Sequence, residues 1–297
     1  MVNRMTDLAM DKRTVDPSFH EFFQRKAQPG SGAAIAKSIS IVIPALNEEA
    51  VVEGVVRDIA KQVAASFADY EIILIDDGST DATGDIMDRL AAELPNVRSI
   101  RNPGNIGLGS SYQRGLAEAR KNYLMMLCGD GGMPAASLPP IFAAVGSVDI
   151  VAPYVTNLKQ IKSPARYFTS RTYTHLLNIL FGQKIKYYNG LPVHRVDLLR
   201  QLRINSSGFG FQGEILTKLL RSGCSMTEVG VLGAEMTKNS SAISLKGMIN
   251  IAKVLTLLVW EVRRFDGGQI KRDHRLGPTV QNDSRSVIDG QAVAADL

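Results

Sequence analysis

Apolar residues follow two rhythms along this chain, and their alternation predicts its architecture. "SISIVIPAL", residues 38–46, is a nearly unbroken apolar run closed by Pro and then Asn, the pattern of a strand buried on both faces of a parallel sheet. "EEAVVEGVVRDIAKQVAASF" then spaces its apolar positions at three and four, as a helix does. The pair repeats. "YEIILIDDGSTD" predicts a second buried strand ending in acids and a Gly-Ser turn, and "ATGDIMDRLAAEL" a second helix. "VRSIRNPGNIGLGSSYQRGLAEARK" predicts a short strand, a Gly/Asn-rich loop and a third helix, and "NYLMMLCGD" a further strand. Three successive strand–helix units predict an α/β fold, doubly wound around a mostly parallel sheet with a Rossmann-like first half.

Beyond residue 140 the rhythm loosens. "VDIVAPYV" predicts a strand, "SPARYFTSRTYTHLLNILFG" a helix that is basic in its first half, and "KIKYYNGLPVHRVDLLRQL" a strand, a turn and a short helix. "SSGFGFQGEILTKLLRSG" reads as a loop feeding a helix that stops at Gly223, and "SMTEVGVLGAEM" as an edge strand. In "LKGMINIAKVLTLLVWEVRRF", Lys246, Asn250, Lys253 and Glu261 share one helical stripe, while Ile249, Val254, Leu258 and Trp260 belong to a broad apolar face. The expected organisation is an N-terminal arm at 1–37, the main domain at 38–246, an amphipathic helix at 247–272 and a polar disordered tail at 273–297.

Composition narrows the class. With 45% hydrophobic residues among 297 the chain can bury a core, so a wholly disordered protein is excluded. A net charge of +5 favours anionic partners: nucleic acid, lipid headgroups or a phosphorylated small molecule. Cys128 and Cys224 have no CxxC or His-rich neighbour, which suggests neither a disulfide framework nor zinc, and a reducing cytoplasm as the compartment. The N-terminus lacks the apolar core of a signal peptide, and the most apolar stretch, 248–262, carries Asn250, Lys253 and Glu261. Neither secretion nor a transmembrane helix is expected.

In doubly wound sheets, ligands bind where the strands end. Here those ends read "PALNEE", "DDGSTD", "NPGNIGLG" and "CGDGG". The Asp76-Asp77-Gly78-Ser79 stretch has two readings: carboxylates that accept from a base or ribose beside backbone donors, or a turn that caps the next helix. Asp130 is likewise either a ligand-facing acid between small glycines or the tip of a tight turn. "GNIGLG" has the look of a dinucleotide fingerprint but does not stand in the first strand-to-helix turn, which argues against a dehydrogenase.

The order of five stretches is more specific than any one of them. "IVIPALNEEAVV", "ILIDDGSTDAT", "NPGNIGLGSSYQRGLAEA", "MLCGDGGMP" and "GFQGEILTKLLRSG" succeed one another in a way that resembles the family-2 glycosyltransferases of the GT-A type, particularly the branch of dolichyl- and polyprenyl-phosphate sugar synthases. The resemblance runs from Ser38 to about Lys246. It implies that Pro44, Asn47 and Glu48 line the base and ribose of a nucleotide sugar together with Asp76, Asp77, Gly78 and Ser79, and that Asn105 and Gly107 face its ribose and diphosphate. It implies that Asp130 is the second acid of a D-x-D that holds Mg2+ or Mn2+, with Cys128 in the first acid's place and Gly129 between. Gln212 matches a third metal-facing position with Glu214 nearby, and Arg166 and Lys238 match cations for phosphate. "YYNG", 187–190, replaces the branch's more usual Asp-containing turn, so acceptor and sugar identity do not carry over.

The expectation is therefore a glycosyltransferase that takes a UDP- or GDP-type sugar and a divalent cation, acting on a polyprenyl phosphate or another lipid-linked or small acceptor. It would work in the cytoplasm at the inner membrane face, with nucleic acid excluded as partner. The apolar face of the 247–272 helix has three candidate covers: lipid, the chain's own core, or a second subunit in a homodimer. The competing class is a non-catalytic nucleotide-sugar-binding protein, suggested by the incomplete D-x-D.

Overall fold

The computed structural model describes residues 37–206 and 210–234 and separate positions between 256 and 270. The first strand, β1 (Ser38–Ala45), is buried along its whole length. It divides its side chains between two cores: Ile39, Ile41 and Ile43 enter one, Val42 the other. β2 (Asp69–Asp76) splits Ile72 and Leu74 from Ile73 and Ile75, and β4 (Tyr123–Met126) splits Tyr123 and Met125 from Leu124 and Met126. Helices α1 (Val52–Ser66), α2 (Thr83–Glu93) and α4 (Leu138–Ala144) cover the first face. Helices α3 (Leu108–Glu118), α6 (Pro164–Phe181) and α8 (Phe211–Arg221) cover the second. The unbroken apolar runs in the sequence are the consequence of this two-sided burial.

With β3 (Val97–Arg101), β5 (Ile150–Val155), β6 (Val193–Arg195) and β7 (Met226–Val231), the sheet has seven strands in the order β3-β2-β1-β4-β6-β5-β7. All pairs are parallel except those of β6, which runs against both β4 and β5. Consequently β5 and β7 point the same way as β1, β2 and β4. The chain builds outward from β1 to β3, then returns to place β4 on the other side of β1. That reversal is the switch point of the fold, at the carboxyl ends of β1 and β4.

Two features differ from expectation. The helix after β1 begins at Val52 rather than near Glu48, because the preceding amides are taken by side chains of another loop. The strand expected ahead of the "YYNG" turn is irregular across 183–192, and the strand of this segment, the antiparallel β6, follows the turn, its junction held by a buried charge cluster. Arg195 Nη1 pairs with Asp149 Oδ1 at 3.0 Å, and Asp149 Oδ2 accepts from the Ser225 amide at 2.7 Å. Short helices α5 (Leu158–Ile161) and α7 (Val196–Leu199) complete the fold. Among the described residues no helix is long and apolar enough to cross a membrane. Of the amphipathic segment, described positions 256–264 are helical: Val262 is buried in the second core while Trp260 is half exposed. The arm at 1–36 and the tail from 273 lie outside the described residues.

Candidate functional site

Three strand ends converge at the switch point through main-chain bonds. Past β4, the Leu127 amide donates to the Val42 carbonyl at 2.9 Å and the Gly129 amide to the Pro44 carbonyl at 3.0 Å, which delivers Asp130 to the end of β1. From the other side, the Asp77 amide donates to the Ala45 carbonyl at 2.9 Å. Gly129 permits this closeness, since a Cβ there would lie 2.8 Å from that of Ala45.

The loops that follow β1 and β2 are tied to one another. Asn47, in the left-handed region at φ 55°, donates its amide to Ser79 Oγ at 3.0 Å and accepts the Thr80 amide on Oδ1 at 2.9 Å. The Glu48 amide donates to Thr83 Oγ1 at 2.8 Å, and the Glu49 carboxylate accepts the Ala82 amide at 2.8 Å. Gly78, at φ 80°, must be glycine: a Cβ would stand 2.5 Å from the Gly104 carbonyl carbon. That contact brings the loop after β3 onto the loop after β2.

Asp76 and Asp77 turn inward and are buried. Asp76 Oδ1 accepts the Ser79 amide at 2.9 Å, holding the Gly-Ser turn. Asp77 is more heavily engaged. Its Oδ1 accepts from Asn102 Nδ2 at 2.8 Å, Ser111 Oγ at 2.9 Å and the Ile106 amide at 3.1 Å, and its Oδ2 accepts the Gly107 amide at 3.0 Å. Four donors on one carboxylate leave it little capacity for a base or ribose, so its structural work is to shape the 102–107 loop. Asn105 is exposed on that loop and accepts the Gly107 amide at 3.0 Å. Asn102, Ser111 and Arg114, whose Nη1 bonds Asn102 Oδ1, complete a network that sequence reasoning missed. Its one sequence signal is the Asn that opens "NPGN".

Asp130 is partly exposed, and its Oδ1 accepts the Gly132 amide at 3.0 Å. Its Oδ2 makes no hydrogen bond to the described residues. Burial pushes the Cys128 thiol up to about 12, with the nearby charges of Asp130 and Glu48 adding to the effect. It is therefore neutral at physiological pH, and a neutral soft sulfur is no ligand for a hard ion. Gln212, in the first turn of α8, is buried, and its Oε1 has no hydrogen-bond partner among the described residues. The start of α8 is positioned by Phe211, whose ring lies 4.9 Å from that of Tyr112 in α3. Among the described residues no three His, Cys, Asp or Glu side chains form a metal-holding group. Asp130 and the Gln212 amide oxygen are hard donors of the kind Mg2+ and Mn2+ take beside diphosphate and water oxygens, and neither belongs to a cage of protein ligands among the described residues.

Glu214 has a different place. Its fully buried carboxylate pairs with Lys218 Nζ at 2.6 Å and accepts the amides of Asn205 and Ser206 at 3.0 and 2.9 Å. Burial alone would raise its pKa, but the Lys218 ammonium and these donors outweigh it and hold the carboxyl below its ordinary value. It anchors the loop into α8 and has no capacity left for substrate. Arg166 lies half-buried in the first turn of α6, and Lys238 lies outside the described residues. His175 is exposed, while His194 is fully buried, with burial lowering its pKa to about 3, so it stays neutral and enclosed.

The profile of glycosyl transferase family 2 matches residues 40–195. The chain is 28% identical over 205 residues to an undecaprenyl-phosphate mannosyltransferase of Micrococcus luteus, covering 64% of this chain and 84% of that protein. It is 30% identical over 127 residues to a dolichol-phosphate mannosyltransferase of Mycosarcoma maydis, spanning 40% of this chain and 43% of that one. Among solved structures, glucosyl-3-phosphoglycerate synthase from Mycobacterium tuberculosis, in complex with Mn2+, UDP and phosphoglyceric acid, shares the fold. Its TM-score is 0.58 at 22% identity, with 75% of this chain and 78% of that one covered.

Proposed function

The chain belongs to glycosyl transferase family 2, and from that premise we propose that it moves a sugar from a UDP- or GDP-type donor onto a polyprenyl phosphate or another phosphate-bearing acceptor. The observation that carries this reading is the switch-point crevice: the Gly129–Pro44 and Asp77–Ala45 main-chain bonds set Asp130, Glu48 and the 102–107 loop around one strand end. The similarity to an undecaprenyl-phosphate mannosyltransferase and to a dolichol-phosphate mannosyltransferase supports the acceptor class.

In the transfer, the bond from the sugar's anomeric carbon to the diphosphate oxygen breaks and one to the acceptor oxygen forms. A bound Mg2+ or Mn2+ would stabilise the charge that develops on the departing nucleoside diphosphate. Asp130 and the orphaned amide oxygen of Gln212 are the protein groups that would hold that ion. Asp76 and Asp77 act one step removed, by fixing the turns whose backbone meets the nucleotide. A phosphate acceptor is already an anion at neutral pH, so no general base is required, and neither His175 nor His194 is placed as one. The protein is further proposed to work at an anionic membrane surface, through the exposed apolar side chains Phe168, Ile179 and Trp260.

The test is a panel of UDP- and GDP-sugars with the full chain, Mg2+ or Mn2+, and a short polyprenyl phosphate, followed by mass spectrometry. Sugar on the lipid phosphate together with free nucleoside diphosphate is the expected result. Nucleotide-sugar binding without transfer or hydrolysis under every combination would overturn it in favour of a binding protein.

A further inference from the structure

A second concave site lies at the carboxyl end of β5, the end of the sheet that also carries the switch point. Tyr154, Lys159, Tyr167, Arg171, Lys186 and Tyr187 line a cavity of about 350 Å³. Lys159, Arg171 and Lys186 are exposed and form no ion pair among the described residues. The position of Lys186 is nevertheless defined. Lys186 Nζ stands 4.1 Å from the centre of the Tyr154 ring, and Lys162 Nζ, beside the cavity, donates to the Tyr187 hydroxyl at 3.2 Å. Tyr187 is held in place by its own loop. Gly190 presses so closely on β5 that a Cβ would fall 1.7 Å from the Pro153 carbonyl oxygen. Among the described residues the carboxylate bonded to this loop is Glu228, which accepts the Lys186 main-chain amide at 2.7 Å; burial raises its pKa and the Lys186 charge opposes that rise.

No acid is among the described residues that line the cavity, and cations gathered there repel one another, a repulsion that an anion relieves. The Arg171 fork and lysine point charges suit phosphate oxygens, and the phenol hydroxyls offer further donors. We propose that this cavity binds the phosphate of the acceptor, with Lys159, Arg171, Lys186 and Tyr187 as the residues that select it. The inference rests on the reading that the acceptor is phosphate-bearing. It assigns a role to "YYNG", where the chain departs from the pattern it otherwise resembles: the turn contributes a tyrosine and lies next to a lysine instead of contributing an acid.

The experiment uses calorimetry on the full chain and on the Arg171→Glu and Lys186→Glu variants, with inorganic phosphate, 3-phosphoglycerate and farnesyl phosphate in neutral micelles as probes. UDP and GDP are titrated separately. Both substitutions fall on exposed side chains, and unchanged thermal melting confirms the fold. Each should weaken phosphate-probe binding by about tenfold or more while nucleotide affinity stays as in the parent. Farnesyl phosphate binding far tighter than 3-phosphoglycerate assigns the site to a lipid acceptor, and the reverse order to a soluble phosphorylated acid. Equal affinity of parent and variants for all three probes overturns the cavity proposal and leaves the donor site standing. A parent that binds neither nucleotide nor nucleotide sugar, yet binds the probes through these residues, overturns the acceptor role together with the transferase reading.

Discussion

Cys128 and Asp130 are two residues apart and divide the chemistry between them. The thiol is held neutral by burial, whereas the carboxylate is partly exposed with one oxygen uncommitted within the described residues. A hard ion bound here would gain little from the first and would depend on the second. Asp130→Ala should lower metal-stimulated transfer by about 100-fold or more, since loss of a metal-bridging group removes several kcal/mol of transition-state stabilisation. Cys128→Ala should leave the metal dependence unchanged, and Cys128→Asp should shift half-saturation to lower Mn2+. Initial rates against metal concentration for the three variants decide the matter. Loss of activity in Cys128→Ala with retention in Asp130→Ala would assign the chemistry to the sulfur.

The strand-end loops are the next larger units, and Asp77 determines how they fit together. Its carboxylate gathers donors from Asn102, Ile106, Gly107 and Ser111, so the 102–107 loop takes its shape from a residue on β2's end. Asp77→Asn replaces one acceptor oxygen by an NH2 facing a donor. The expected cost to UDP or GDP binding is about 1–3 kcal/mol, and hydrogen exchange at Ile106 and Gly107 should quicken in parallel. Weaker binding with unaltered exchange would mean that Asp77 contacts the nucleotide directly. The sequence pattern did reveal these elements, because two-sided burial writes unbroken apolar runs and strand ends write Gly, Asn and Asp. It did not reveal which way an acid at a strand end points. Asp77 turns inward because partners from residues 102–111 reach it, and that is a tertiary fact. Glu214 is a similar case: it stands beside the metal-facing position that the resemblance implies at Gln212, yet its carboxylate is consumed by Lys218 and two amides. The antiparallel insertion of β6 between β4 and β5 was equally hidden, since a strand of three residues carries too little periodicity to reveal its partners.

Over the whole molecule, α6 connects the acceptor cavity to the surface. Thr174, Leu177 and Phe181 face inward, whereas Phe168 and Ile179 stand 67% and 66% exposed three turns apart on the opposite stripe. Leu180 and Trp260 line a second cavity of about 510 Å³ with Arg263 and Arg264, and the Arg264 guanidinium lies 3.8 Å from the centre of the Trp260 ring. Isolated apolar residues on a surface are ordinary, but a helical stripe flanked by an aromatic ring and adjacent arginines suits the headgroup layer of an anionic membrane. Tyr167 and Arg171 of the phosphate cavity are on the same helix, beside Phe168. A prenyl phosphate with its head in the cavity would therefore have an apolar path toward lipid. Phe168→Ser with Ile179→Ser and Trp260→Ser removes exposed apolar surface without touching either core. Vesicle sedimentation should show at least about a tenfold loss of partitioning, as each apolar side chain buried in lipid contributes on the order of 1.5–3 kcal/mol at full burial. Arg263→Glu with Arg264→Glu should weaken binding to phosphatidylglycerol vesicles more than to phosphatidylcholine vesicles, by about 1 kcal/mol or more per arginine. Both variants should keep the parent's circular dichroism. Undiminished partitioning of the triple variant would leave the stripe without a membrane role, and a folded protein that sediments with neither vesicle type would remove the surface from the proposal altogether.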